Sequence, residues 1–102
     1  MLTIEEKSLY DLLSEINEKD YFEPLDETEG HIKGWKYPKE VIKKLTTEGY
    51  GADINEKDIY SLTTQITNFK KDGTTIEVGN YLCLLSEKGK QELERLEKKR
   101  AD

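Results

Sequence analysis

Three sets of residues in this chain are of a type that could do chemistry. The first is His31 and Cys83, the single histidine and the single cysteine. Neither has a second soft ligand at metal-ligand spacing, so no zinc site is expected. Cys83 lies inside the apolar run YLCLL, where a small core residue is a better expectation than a nucleophile. His31 falls in a polar stretch, so a Cys-His catalytic pair is not indicated. The second set is the acids, dense in LDETEG over residues 25–30. Clustering of this kind in a loop solvates a chain more often than it builds an acid/base pair or a calcium loop. The glycines of GWK and GYG lack the context of a phosphate-binding motif. No catalytic constellation emerges, no metal or cofactor is implied, and the chain is not expected to be an enzyme.

The third set is the stretch IYSLTTQITNF, residues 59–69, which contains no charge in a chain that is 37% Asp, Glu, Lys and Arg. Ile59, Leu62, Ile66 and Phe69 recur at helical spacing and form one narrow stripe for a core. A rotation of about 100° per residue then puts Lys57, Tyr60, Ser61, Thr64, Thr67, Asn68 and Lys71 on the opposite side. Glu56 and Asp58 project only toward its flanks. A carboxylate facing a phosphate is repelled, whereas hydroxyls and amides hydrogen-bond phosphates and base edges. Asn68 can pair bidentately with adenine, and Thr64 or Thr67 can touch a thymine methyl. Lys57 and Lys71, with Lys39 and Lys43 from the preceding helix, would supply phosphate contacts. Double-stranded DNA is the partner this face suits. Two alternatives stay open: a passive solvated face, and a contact with a protein.

The elements that must position these residues follow from periodicity and punctuation. Thr3 and Glu6 make a capping-box pattern ahead of a helix over about residues 4–18, with Ile4, Leu9, Leu12, Leu13 and Ile16 on its inner face. Residues 20–37 carry Pro24, Gly30 and Gly34 and predict a loop, with a short extended piece near His31 to Trp35. Pro38 suits the first position of a second helix that ends at Gly49. Asp53 or Asn55 can cap a third helix that runs to about Lys71. Two β-prone runs around Gly79-Asn80 predict a two-residue hairpin, with Val78 facing Tyr81 and Ile76 facing Cys83. Leu82 and Leu84 then fall on the other side, so that strand is expected to be buried on both faces. Ser86 can cap a final helix whose apolar face is only Leu93 and Leu96. That seam is too short for a coiled coil and is expected to dock on its own domain.

TTQITNFKKDG resembles the end of a winged-helix recognition helix, in which a hydrophobic residue, a short basic run and a glycine lead into the wing. YLCLLSEKGKQEL resembles the segment after the wing in MarR- and PadR-like regulators. The resemblance spans about residues 38–96. It implies an α+β, mostly helical fold: a winged helix-turn-helix of three helices, a short β-hairpin wing and a C-terminal helix. Within one domain over residues 1–102, residues 1–30 would be an acidic helix and loop, 38–73 the helix-turn-helix, 74–86 the wing and 87–100 the last helix. Residues 56–71 would be the recognition helix of a DNA-binding transcriptional regulator, and Thr74 to Tyr81 its wing.

The charge balance refines the partner. Residues 1–30 hold ten acids against Lys7 and Lys19, whereas residues 31–102 hold twelve acids against fourteen bases. The acidic excess belongs to the N-terminal third. It serves either as a solvated face or as a surface for a basic partner, in which case Glu15, Glu18 and Glu23 would carry a DNA-mimicking or adaptor role. The thin supply of bases predicts weak, salt-dependent binding by one copy and so favours a homodimer. No apolar run approaches the length of a membrane span, and the acidic N-terminus does not look like a signal peptide. A cytoplasmic protein that does not bind membranes is expected.

Overall fold

The computed structural model describes residues 1–28, 31–72 and 79–102, with the side chains at 28, 31–33, 69, 70 and 72 outside that description. Helix α1 (Ile4–Lys19) opens on the expected capping box: the Glu6 amide donates to the Thr3 hydroxyl at 3.1 Å, and the Thr3 amide donates to the Glu6 carboxylate at 3.0 Å. It stops at Asp20, whose left-handed backbone (φ 62°) turns the chain into β1 (Tyr21–Phe22).

The extended piece expected near His31 to Trp35 is present as a strand, but the rest of residues 20–37 is not the loop that its proline and glycines suggest. Beyond β1 these residues form an antiparallel hairpin, β2 (Leu25–Thr28) and β3 (His31–Trp35), in which Leu25 lies opposite Trp35. The physical reason is an apolar anchor at the open end: Leu25 is buried, and Trp35 packs at the edge of the core. Gly34 has a backbone φ of 142°, beside the register shift between Asp26 and Glu27. Helix α2 (Lys39–Thr47) follows, with Pro38 one position earlier than expected, as its N-cap. Gly49, at φ 72°, supplies the left-handed residue just beyond the end of α2.

The connector to helix α3 (Glu56–Asp72) includes β4 (Gly51–Ala52), and the Asn55 side chain caps α3 by accepting the Lys57 amide at 2.8 Å. After α3, β5 (Tyr81–Leu82) pairs antiparallel with β1, and β6 (Leu84–Leu85) pairs antiparallel with β4. The segment 81–85 thus ties the end of α1 to the α2–α3 connector. The expected pairings with Ile76 and Val78 lie outside the described residues.

Ser86 caps α4 (Glu87–Ala101) as predicted, accepting the Gly89 amide at 3.0 Å, and its own hydroxyl donates to the Gly49 carbonyl at 2.5 Å. Gly89 is required there. A Cβ at that position would run into the Tyr50 carbonyl, which accepts the Ser86 amide at 2.9 Å.

The result is a mostly helical α+β fold with four α-helices and small antiparallel sheets among the described residues. Helix α1 packs on both α2 and α4, and α2 packs on α3. Leu12, Leu13 and Ile16 of α1, Ile42 of α2, Ile66 of α3 and Leu96 of α4 are fully buried in one cluster. Burying each such side chain contributes about 1.5–3 kcal/mol. Leu93 and Leu96 do dock on the domain itself. Leu82 and Leu84, expected to be covered by α1 or by a second chain, are exposed in the single chain, so α1 does not cover them. Strand alternation turns Tyr81, Cys83 and Leu85 toward the core and leaves Leu82 and Leu84 facing water. Among the described residues no helix is long and apolar enough to cross a membrane.

Candidate nucleic-acid interface on helix α3

Helix α3 is held by its inner face. Ile59, Leu62 and Ile66 are buried as the spacing predicts, while the side chain of Phe69 is outside the description. Thr63 is buried too, and periodicity alone could have found it: it lies four residues after Ile59 and three before Ile66. Its hydroxyl avoids an unpaired polar burial by donating back to the carbonyls of Ile59 (3.0 Å) and Tyr60 (3.1 Å).

The outer face is open. Lys57, Tyr60, Ser61, Thr67, Asn68 and Lys71 are exposed, Tyr60 by 66%, and Thr64 is half-buried at the margin. Glu56 and Asp58 are exposed on the flank where the helical wheel puts them. The Thr67 hydroxyl donates to the Thr63 carbonyl at 2.8 Å, so toward a partner it acts as an acceptor and a methyl contact. On α2, Lys39 and Lys43 sit one turn apart and are half-buried along their stems.

The four lysines differ electrically from most other bases of the chain. Among the described residues, Lys39, Lys43, Lys57 and Lys71 form no salt bridge, whereas Lys36 is 3.0 Å from Glu15, Lys44 3.3 Å from Glu5, and Lys99 2.7 Å from Glu6. An unpaired lysine keeps its full charge for an incoming anion. Of the expected wing, Thr74 to Val78 lie outside the described residues. Gly79 and Asn80 are exposed, and Tyr81 packs its ring 5.4 Å from that of Phe22.

Two other candidate sites resolve differently. The thiol of Cys83 is buried, and burial pushes it up to about 12, far from a reactive thiolate at neutral pH. His31 lies in β3 with its side chain outside the description. Glu15, expected on either a solvated face or a partner surface, is instead buried. It accepts the Tyr37 hydroxyl at 2.5 Å and the Glu23 amide at 3.3 Å, and the Lys36 ammonium stands 3.0 Å away. Burial pushes its carboxyl up, but the hydrogen bonds from Tyr37 and Lys36 outweigh burial and hold it below the usual carboxylate range. Its place in the sequence, three residues after Leu12 and beside Ile16, carries the signal: it belongs to the inner edge of α1. Glu18 remains exposed and Glu23 half-buried.

Comparison with protein families, curated proteins and solved structures finds no match to the chain.

Proposed function

We propose that this chain is a winged helix-turn-helix protein that binds double-stranded DNA and regulates transcription in the cytoplasm, with α3 as its recognition helix. The observation that carries this proposal is the outer face of α3: exposed hydroxyls, an amide and a tyrosine, no carboxylate at its centre, and unpaired lysines at both ends. The order of elements supports it, with α2 followed by α3 and then a strand after α3 that returns to pair with β1. Lys57, Lys71, Lys39 and Lys43 meet phosphates, while Tyr60, Ser61, Thr64, Thr67 and Asn68 face the groove.

Four phosphate contacts per copy imply a log-log salt slope of about −3 to −4, too weak for one copy at physiological salt. Two copies on adjacent half-sites supply the rest. Titration of isotope-labelled protein with a mixed-sequence DNA duplex tests the proposal by NMR. At low salt, shifts should concentrate at Lys57, Tyr60, Thr64, Asn68 and Lys71 and fade as salt rises. No shift at low salt, or shifts elsewhere that ignore salt, would sink the DNA-binding role.

A further inference from the structure

Leu82 is 80% exposed and Leu84 54% exposed, two positions apart on the segment that otherwise ties the domain together. Both open onto a groove of about 310 Å³ that Ile54 also lines. Its rim carries Asp20, Asp53 and Asp58, and among the described residues no lysine or arginine lines it. Among the described residues none of the three aspartates forms a salt bridge, unlike Glu5, Glu6 and Glu15. The site therefore combines apolar surface that gains by leaving water with three carboxylates that no described residue pairs in a salt bridge.

Charge decides what can occupy it. A second copy docking the same face would set three carboxylates against three, and a two-fold contact allows no escape from that pairing. Nucleic acid and anionic lipid are repelled for the same reason. A segment with apolar side chains for the leucines and ammonium or guanidinium groups for the aspartates satisfies both features. We propose that this groove docks a partner protein through a short stretch in which apolar residues alternate with lysine or arginine. None of the residues proposed to meet DNA lines the groove, so the inference stands independently of DNA binding.

The test is NMR titration of the full chain with three capped eight-residue peptides: alternating Leu-Lys, alternating Ser-Lys and alternating Leu-Glu. Leu-Lys should shift Ala52, Asp53, Leu82 and Leu84, and the other two should not. The double variant Leu82→Ser/Leu84→Ser, altered only at exposed positions, should bind Leu-Lys at least about tenfold more weakly, since two leucine side chains no longer cover the peptide. Asp53→Asn/Asp58→Asn should weaken it by about fivefold, the worth of two exposed ion pairs. Equal shifts with Ser-Lys would reduce the effect to general charge attraction and overturn the proposal. So would an unchanged affinity in the leucine variant. Concentration-dependent dimerisation abolished by that variant would make a second copy the occupant, and would overturn it as well.

Discussion

The two ends of this molecule treat charge and apolar surface in opposite ways. Where α1 meets α4, almost everything is partnered. Glu6 is 2.7 Å from Lys99 and 3.7 Å from Arg95, Arg95 is 2.6 Å from Glu92, the terminal amine donates to the Lys99 carbonyl at 3.0 Å, and Arg100 stacks over Tyr10. Beneath these contacts Leu93 and Leu96 are buried. Along α3 and the segment 81–85, Lys57, Lys71 and Asp58 form no salt bridge among the described residues, and Leu82 and Leu84 face water. The fold satisfies the first region internally and leaves the second exposed. Exposed leucines add little to the stability of a domain of this size, so the difference separates the contacts that hold the chain together from surface that contributes little to folding.

The sharpest way to break that comparison uses one chemical change at both ends. Leu12→Ala removes a fully buried side chain from α1 and should cost about 2–5 kcal/mol of unfolding free energy. Leu82→Ala, at 80% exposure, should change it by less than about 0.5 kcal/mol. Urea denaturation of both variants checks the pair; comparable losses would mean that Leu82 is covered in solution. Next in size is Gly89→Ala. The added methyl meets the Tyr50 carbonyl and must push α4 off the connector, costing about 1–3 kcal/mol despite the gain in helix propensity. Glu15→Ala should cost about 1–3 kcal/mol, because it leaves the Tyr37 hydroxyl only the longer contact to the Asp11 carbonyl at 3.5 Å and removes the partner of the Lys36 ammonium. Part of that cost is relieved by solvent reaching Lys36, whose side chain is 34% exposed.

These same residues show what is legible from sequence. The four helices are, since each carries a cap or a periodic stripe: Thr3 and Glu6 for α1, Val41, Ile42 and Leu45 for α2, Asn55 for α3, Ser86 and Gly89 for α4. The exposure of Tyr60, Ser61 and Asn68 follows from helical geometry alone. Of the β2–β3 hairpin only the extended piece at His31 to Trp35 is legible; its pairing with β2 is not, because that rests on Leu25 opposite Trp35, which no local pattern encodes. The exposure of Leu82 and Leu84 is hidden for a related reason. Alternation tells which residues share a face, not which face meets the core. Composition misplaces Glu15 because it treats every acid as solvated, while the partners Lys36 and Tyr37 are distant in sequence.

Acid should act mainly on the partnered end. The Lys99 ammonium and the Thr3 amide hold the Glu6 carboxyl down to about 2 from an ordinary 4.5, and Glu92 is lowered chiefly by its hydrogen bond from Arg95. Glu15 is lowered as well, its contacts with Tyr37 and Lys36 prevailing over burial. In the unfolded chain these carboxyls take up protons near their ordinary value, while the folded chain resists, so protons favour the unfolded state. Stability should be level above about pH 5 and fall steadily from about 4.5 toward 2. Urea midpoints across that range check the slope, and Lys99→Ala should shallow it by releasing Glu6.

The smallest effect on stability should accompany a large effect on binding. Thr64 and Asn68 stand on the outer face of α3, and neither side chain makes a hydrogen bond among the described residues. Alanine is the better helix former by up to about 0.7 kcal/mol per residue, so Thr64→Ala/Asn68→Ala should leave the urea midpoint unchanged or raise it slightly. The same variant removes the amide that can read adenine and a methyl that can touch thymine. Removing a well-formed bidentate pairing with a base costs about 1–3 kcal/mol of discrimination. Thermal melting and DNA titration of one sample should therefore move in opposite directions. A fall in both would assign the two residues to packing. An unchanged DNA affinity would leave α3 a solvated helix, and the unpaired lysines beside it would then need another partner.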